Sequence, residues 1–105
     1  MVRIIRGKRY NTETATLIAE YWNGAPLIDS RYVCESLYLT KKGNWFLHYK
    51  GGALSYWAKS GPQPTSTVGG EDIMSFDPLE AREWLEEHRQ TEALEQYFGA
   101  DLEGA

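Results

Sequence analysis

Two runs rich in aromatic and bulky apolar residues, Leu37 to Thr40 and Asn44 to Lys50, are separated by Lys41-Lys42-Gly43. Such runs suit a pleated surface. Gly43 tolerates positive φ and so fits the left-handed position of a three-residue hairpin loop. Closing that loop pairs Thr40 with Asn44, and the register follows by counting. Leu39 opposes Trp45 and Leu37 opposes Leu47 on one face; Tyr38 opposes Phe46 and Ser36 opposes His48 on the other. The first face is wholly apolar and is the expected core side. The second is amphipathic and expected to be half covered. Gly51-Gly52 ends the second strand.

The flanks are read outward from this hairpin. Val2 to Arg9 (V-R-I-I-R-G-K-R) alternates only at Val2, Arg3 and Ile4, which predicts a short edge strand or an extended arm. Asn11 to Trp22 fits two templates. As a strand, Thr14, Thr16, Ile18, Glu20 and Trp22 share one face and Ala15, Leu17, Ala19 and Tyr21 the other. As a helix, Ala15, Ile18, Ala19 and Trp22 line a stripe capped by Asn11 or Thr12. Three threonines and the aromatic end favour the strand from about Ala15, and Asn23-Gly24-Ala25-Pro26 stops either element.

Leu27 to Tyr32 reads as a connection, and Ala53 to Lys59 as a short helix or a loop packed by Tyr56 and Trp57. Ser60 to Gly70 holds two Pro, three Gly and four Ser or Thr, the composition of a mobile loop. Glu71 to Phe76 reads as one more strand.

Asp77-Pro78-Leu79-Glu80 is a helix start: Asp77 as N-cap, Pro78 at the first position, Glu80 closing a capping box. Ala81, Trp84, Leu85 and His88 follow at helical spacing as the buried stripe. Thr91 is expected to cap a second helix carrying Leu94, Tyr97 and Phe98, with Gly99 as its stop and residues 100–105 frayed. The expected fold is α+β: a small antiparallel sheet built on the central hairpin, with two C-terminal helices packed on one face. At 105 residues it is a single domain.

Charge divides along the chain. Residues 1–70 hold nine Lys and Arg against four Asp and Glu, a balance of +5. Residues 71–105 hold two Arg against eleven Asp and Glu, a balance of −9, so the whole carries −4. An acidic helical surface is either a solvated face or a surface offered to a basic partner. One cysteine, Cys34, cannot close an internal disulfide, which fits a reducing cytoplasm. No apolar run reaches membrane-spanning length, and Met1 to Tyr10 is basic without the apolar centre of a signal peptide.

Catalytic signatures are weak. Cys34, His48 and His88 are the soft ligands, but they show no C-x-x-C, H-x-x-x-H or H-E-x-x-H spacing, so no metal or cofactor is expected. His48 reads as a satisfied strand histidine and His88 as a cation at a helix C-terminus. Cys34 and His48 offer a nucleophile and a base without a third orienting group. The Gly-Gly pairs lack the context of a phosphate loop. An enzyme is not expected.

The phrases K-R-Y-N-T-E-T-A, E-S-L-Y-L-T-K-K-G-N-W-F-L, G-G-A-L-S-Y-W-A and G-G-E-D-I…P-L-E-A-R-E-W-L-E-E cover most of the chain. They resemble a family of small bacterial proteins carried on prophages and other mobile elements. The resemblance brings no catalytic motif and no functional residue. It implies an anti-defence role of the anti-CRISPR type, in which a small acidic protein occupies a surface of a nucleic-acid-binding effector.

The expected function is therefore a non-enzymatic, protein-binding inhibitor. Glu80, Glu83, Glu86, Glu87, Glu92 and Glu95 would stand in for phosphates against a basic channel. The alternative is a small DNA- or RNA-binding accessory protein using Arg3, Arg6, Lys8, Arg9, Lys41, Lys42 and Lys50, with Tyr38, Phe46 and Tyr49 nearby. A pI near 5.1 argues against that alternative.

Overall fold

A computed structural model describes residues 1–105. Eight strands precede two helices: β1 Val2–Ile5, β2 Lys8–Asn11, β3 Thr16–Trp22, β4 Val33–Leu39, β5 Trp45–Gly51, β6 Lys59–Ser60, β7 Thr67–Val68, β8 Gly70–Phe76, α1 Pro78–Glu87 and α2 Thr91–Phe98. The main sheet has four antiparallel strands in the order β3-β4-β5-β8. Its centre is the expected hairpin. Leu39 pairs with Trp45, Leu37 with Leu47, Tyr38 with Phe46 and Ser36 with His48, and Gly43 closes the loop at φ 86°.

Both faces of the hairpin are used. Leu37, Trp45 and Leu47 on the first face form one buried cluster with Ala81, Trp84 and Leu85 of α1 and Leu94 and Phe98 of α2. Trp45 stacks on Phe98 at 5.4 Å and meets Tyr97 edge-on at 5.6 Å. On the second face Phe46, fully buried, joins Tyr10 and Ile73 in a smaller cluster edged by Ile5, Ala15 and Tyr38. The two C-terminal helices thus cover one face, and a hairpin of β1 and β2 covers part of the other.

That N-terminal hairpin replaces the expected edge strand or arm. Ile5 pairs with Lys8 across a two-residue turn in which Arg6 has φ 50° and Gly7 φ 78°. Positive φ at both positions is the type I′ geometry that suits the twist of a hairpin. Ile5 and Tyr10 face the sheet, while Val2 and Ile4 are exposed, so the residue that breaks the alternation is the one that packs.

Residues 16–22 form a strand, and the helical alternative is excluded. A bulge between Leu17 and Ala19 corrects the simple alternation. The extra residue shifts the phase, so Ile18, Ala19 and Tyr21 all pack on the helix-side core. Residues 53–58 are turns packed by aromatics, with no helix. The segment 60–70 is not wholly loop: Lys59–Ser60 and Thr67–Val68 form a two-residue ladder.

The capping box of α1 forms in full. Asp77 accepts from the Glu80 N–H at 2.7 Å, and Glu80 Oε1 accepts from the Asp77 N–H at 2.9 Å. Two helix-end expectations are corrected. The N-cap of α2 is Gln90 rather than Thr91, and its side chain instead donates to the Glu20 carbonyl at 3.2 Å. α2 does end at Phe98 with Gly99 as its C-cap, but Gly99 is right-handed and leads into a 3-10 turn, Gly99–Asp101, so the expected fraying does not begin at residue 100. The left-handed stop lies between the helices, at Arg89 with φ 54°. The Arg89 N–H donates to the Glu86 carbonyl and the Gln90 N–H to the Leu85 carbonyl, the paired bonds of a Schellman ending.

No helix is long and apolar enough to cross a membrane.

Candidate functional site

The acidic helices carry their charge outward. Glu80, Glu83, Glu86, Glu87, Glu92 and Glu95 are all exposed. Glu80 is engaged in the capping box, and Glu86 stands 3.8 Å from Arg82 one turn away. Glu87 borders a cleft described below. Glu83, Glu92 and Glu95 make no ion pair or side-chain hydrogen bond within the chain, while Ala81, Trp84, Leu85, Leu94 and Phe98 hold the helices down. Both helices lie on the same side of the sheet, so the negative charge is gathered there.

The basic residues are only partly brought together. Arg6 and Lys8 border one hollow beside the hairpin tip; Lys8, Arg9, Lys41 and Lys42 border a second of about 730 Å³. Lys8 donates to Asn44 at 3.2 Å, tying the N-terminal hairpin to the tip. Two expected members are elsewhere. Arg3 is bound to Asp72 at 2.5 Å and to the Ile73 carbonyl at 3.2 Å, so its charge is neutralised at the edge strand β8. Burial alone would push the Asp72 carboxyl up, but the Ile73 N–H and the Arg3 guanidinium outweigh it and hold the group below its ordinary value. Lys50 lies at the far end of β5, beside Gly51, Gly69 and Glu71, and joins no surface with the tip lysines.

The feature that the sequence reading passed over is Glu35. It sits on β4 two residues before Leu37, and its side chain is 5% exposed. Its Oε2 accepts from the Tyr56 hydroxyl at 2.5 Å and from Trp57 Nε1 at 2.8 Å. Its Oε1 accepts from Trp84 Nε1 at 2.8 Å and stands 3.5 Å from His88 Nε2. A buried carboxylate without donors is costly; here both oxygens are satisfied. Burial first, then the hydrogen bond to Glu35 and its charge, hold the Tyr56 phenol well above its ordinary value. The signal is present in the register: the Leu37 and Leu39 face continues through Glu35, placing an acid on an otherwise apolar surface.

His88 therefore packs between Tyr21, stacked at 4.1 Å, and Trp84 at 4.6 Å, with Glu35 as its charged neighbour; it does not simply complement a helix dipole. His48 stands 2.7 Å from Glu71 Oε2 on the opposite face, as a satisfied strand histidine does. No group of three or more His, Cys, Asp or Glu stands close enough to hold a metal ion.

At the end of the sheet remote from the hairpin tip, two loops are tied together. The Gly52 N–H donates to the Tyr32 carbonyl at 2.9 Å and the Leu54 N–H to the Ser30 carbonyl at 2.8 Å. These loops present Leu27, Ile28, Leu54 and, apart from its inward-turned hydroxyl, Tyr56 to solvent, Ile28 almost completely. Comparison with known protein families, curated proteins and solved structures found no match.

Proposed function

We propose that this protein is a non-enzymatic binding protein that docks on a basic surface of a protein partner through its acidic helices. The observation that carries this reading is the state of the acids: Glu83, Glu92 and Glu95 are exposed and engaged by nothing in the chain, while a separate apolar stripe anchors each helix. Their charge is free to act on a partner. Carboxylates held on a rigid helix can stand where phosphates would in a nucleic-acid channel, and their field speeds encounter with a basic surface. The exposed apolar loops at Leu27, Ile28 and Leu54 add area of the kind found in the middle of protein interfaces. The mobile-element resemblance would place the partner among nucleic-acid-directed defence effectors of a bacterial cytoplasm, with occlusion as the mechanism. Capture of partners from a bacterial lysate on the immobilised protein, read by mass spectrometry with and without nuclease, tests this. The expected catch is a basic protein that survives nuclease treatment; a catch lost with the nuclease contradicts the reading.

One observation favours a second reading, direct nucleic-acid binding. Arg6, Lys8, Arg9, Lys41 and Lys42 border adjoining hollows at the hairpin tip, the first of which Arg6 and Lys8 share with Asp77 and Glu80. Without Arg3 and Lys50 this patch is small. It supports weak, salt-sensitive contact with phosphates rather than tight binding.

A further inference from the structure

Between the 53–58 turns and α1 lies a cleft of about 320 Å³ whose wall is mostly apolar, with Leu47 and Met74 beside its aromatic rings. Tyr56, Trp57, Trp84 and Phe76 line it; Glu35 closes its inner side, and exposed Glu87 stands on its solvent side. No Lys or Arg borders it; His88 is its one basic neighbour. The rings are fixed. Trp57 and Trp84 have their N–H edges bound to Glu35, and Trp57 is backed at 3.8 Å by Tyr49. Aromatic faces beside carboxylates attract cations, and they do so most strongly where water is excluded.

The hydrogen bonds decide which cation. Three groups donate to Glu35, Trp84 to Oε1 and Tyr56 and Trp57 to Oε2, and the His88 ring stands 3.5 Å from Oε1. A carboxylate offers about four lone-pair sites, so at most one is left for a ligand donor, and the His88 ring crowds it. A primary ammonium or a guanidinium would enter by giving up hydrogen bonds to water with at most one replacement at the inner end. A cation whose nitrogen is fully alkylated has no such bonds to lose. It needs only apolar contact, aromatic rings and nearby carboxylates, and this cleft is lined by all three. We propose that the cleft between the 53–58 turns and α1 is a binding site for a quaternary, choline-like alkylammonium group. This site adjoins the acidic helix surface at Glu87 but does not rest on the docking proposal, because Glu83, Glu92 and Glu95, which carry that proposal, do not border it.

The test is a titration of the full chain with tetramethylammonium chloride at constant ionic strength, followed by indole N–H signals in NMR. The expected result is a saturable shift of the Trp57 and Trp84 signals with a Kd of about 1 mM, the scale of a few cation–ring contacts. Methylammonium and guanidinium should bind at least about tenfold more weakly at this site, since they leave donors unpaired. Neopentyl alcohol, a neutral analogue of similar size and shape, should produce no saturable shift. Glu87→Gln, on the exposed rim, should weaken tetramethylammonium binding about threefold without altering the fold. A linear, non-saturating response to tetramethylammonium overturns the proposal. So does equal binding of methylammonium, or an unchanged Kd for Glu87→Gln together with saturable binding of the neutral alcohol.

Discussion

Glu35 shows how one side chain can organise a small core. Its carboxylate lies on the helix-side face of the sheet and takes donors from Tyr56 and Trp57 in the turn after β5 and from Trp84 on α1, with the ring of His88 nearby at the end of that helix. Glu35→Ala leaves two indole N–H groups unpaired in a buried setting. Chemical denaturation should register a loss of about 3 kcal/mol or more, since bonds to a charged acceptor are individually strong. A loss under about 1 kcal/mol would mean that the turn swings out and water replaces the carboxylate. Tyr56 supplies a pH signature. Its phenol is held above its ordinary value of 10.0 by burial, then by the hydrogen bond to Glu35 and its charge. A raised value means that the unfolded chain gives up the proton first. The contribution is fully present below about pH 10 and is lost as pH rises beyond it. Tyr32, Tyr38 and Tyr49 are also held up, chiefly by burial, so a base limb is common to wild type and variant. In urea melts from about pH 8 upward, wild type should nevertheless lose stability more steeply above about pH 10 than Tyr56→Phe does. Parallel profiles would show that the phenol is not coupled to the fold.

At the scale of elements, local chemistry and assembled chemistry separate cleanly. The central hairpin was legible because Gly43 and two alternating runs determine it within fifteen residues. The first helix start was legible because Asp77, Pro78 and Glu80 sit within one turn. The N-terminal hairpin was not: a left-handed Arg6 carries no sequence mark, and Ile5 reads as a flaw in the pattern until Phe46 and Tyr10 are seen beneath it. The bulge at Ile18 likewise follows from packing, because residues on both sides of it reach the same core. The Glu35 cluster joins residues up to 49 positions apart, beyond any local motif. Two elements invite direct tests. Trp45, 7% exposed, fills the space between β5 and α2, and Trp45→Ala should cost about 3–5 kcal/mol in denaturation. Arg89 holds a left-handed conformation in the Schellman ending of α1, where glycine is ordinarily found. Arg89→Gly should raise stability by about 0.5–1 kcal/mol, because relief of side-chain crowding exceeds the added freedom of the unfolded chain. A decrease would show that the Arg89 side chain makes a contact worth more than that strain.

The whole molecule is a plate of 49 × 35 × 21 Å in which only 16 of 105 residues are buried, so most of its chain is available as surface. That surface is polar in the electrical sense: acidic helices on one side of the sheet and a basic hairpin on the other, meeting at the hollow that Arg6 and Lys8 share with Asp77 and Glu80. The basic side alone should bind DNA or RNA no more tightly than micromolar at physiological salt; fluorescence anisotropy giving sub-micromolar binding with a steep salt dependence would promote the nucleic-acid reading. The acidic side carries the main proposal, and three of its residues can be reversed without touching the capping box, the Arg82 contact or the aromatic cleft. Glu83→Lys with Glu92→Lys and Glu95→Lys should change folding stability by no more than about 0.5 kcal/mol per site. The deciding measurement is the association rate of wild type and triple variant with the captured protein partner, at low and at high ionic strength. A slower on-rate for the variant, with the difference shrinking as salt rises, is the expected result. A folded variant that associates at the wild-type rate at low salt would show that these acids are a solvated face and contradict docking through the helices.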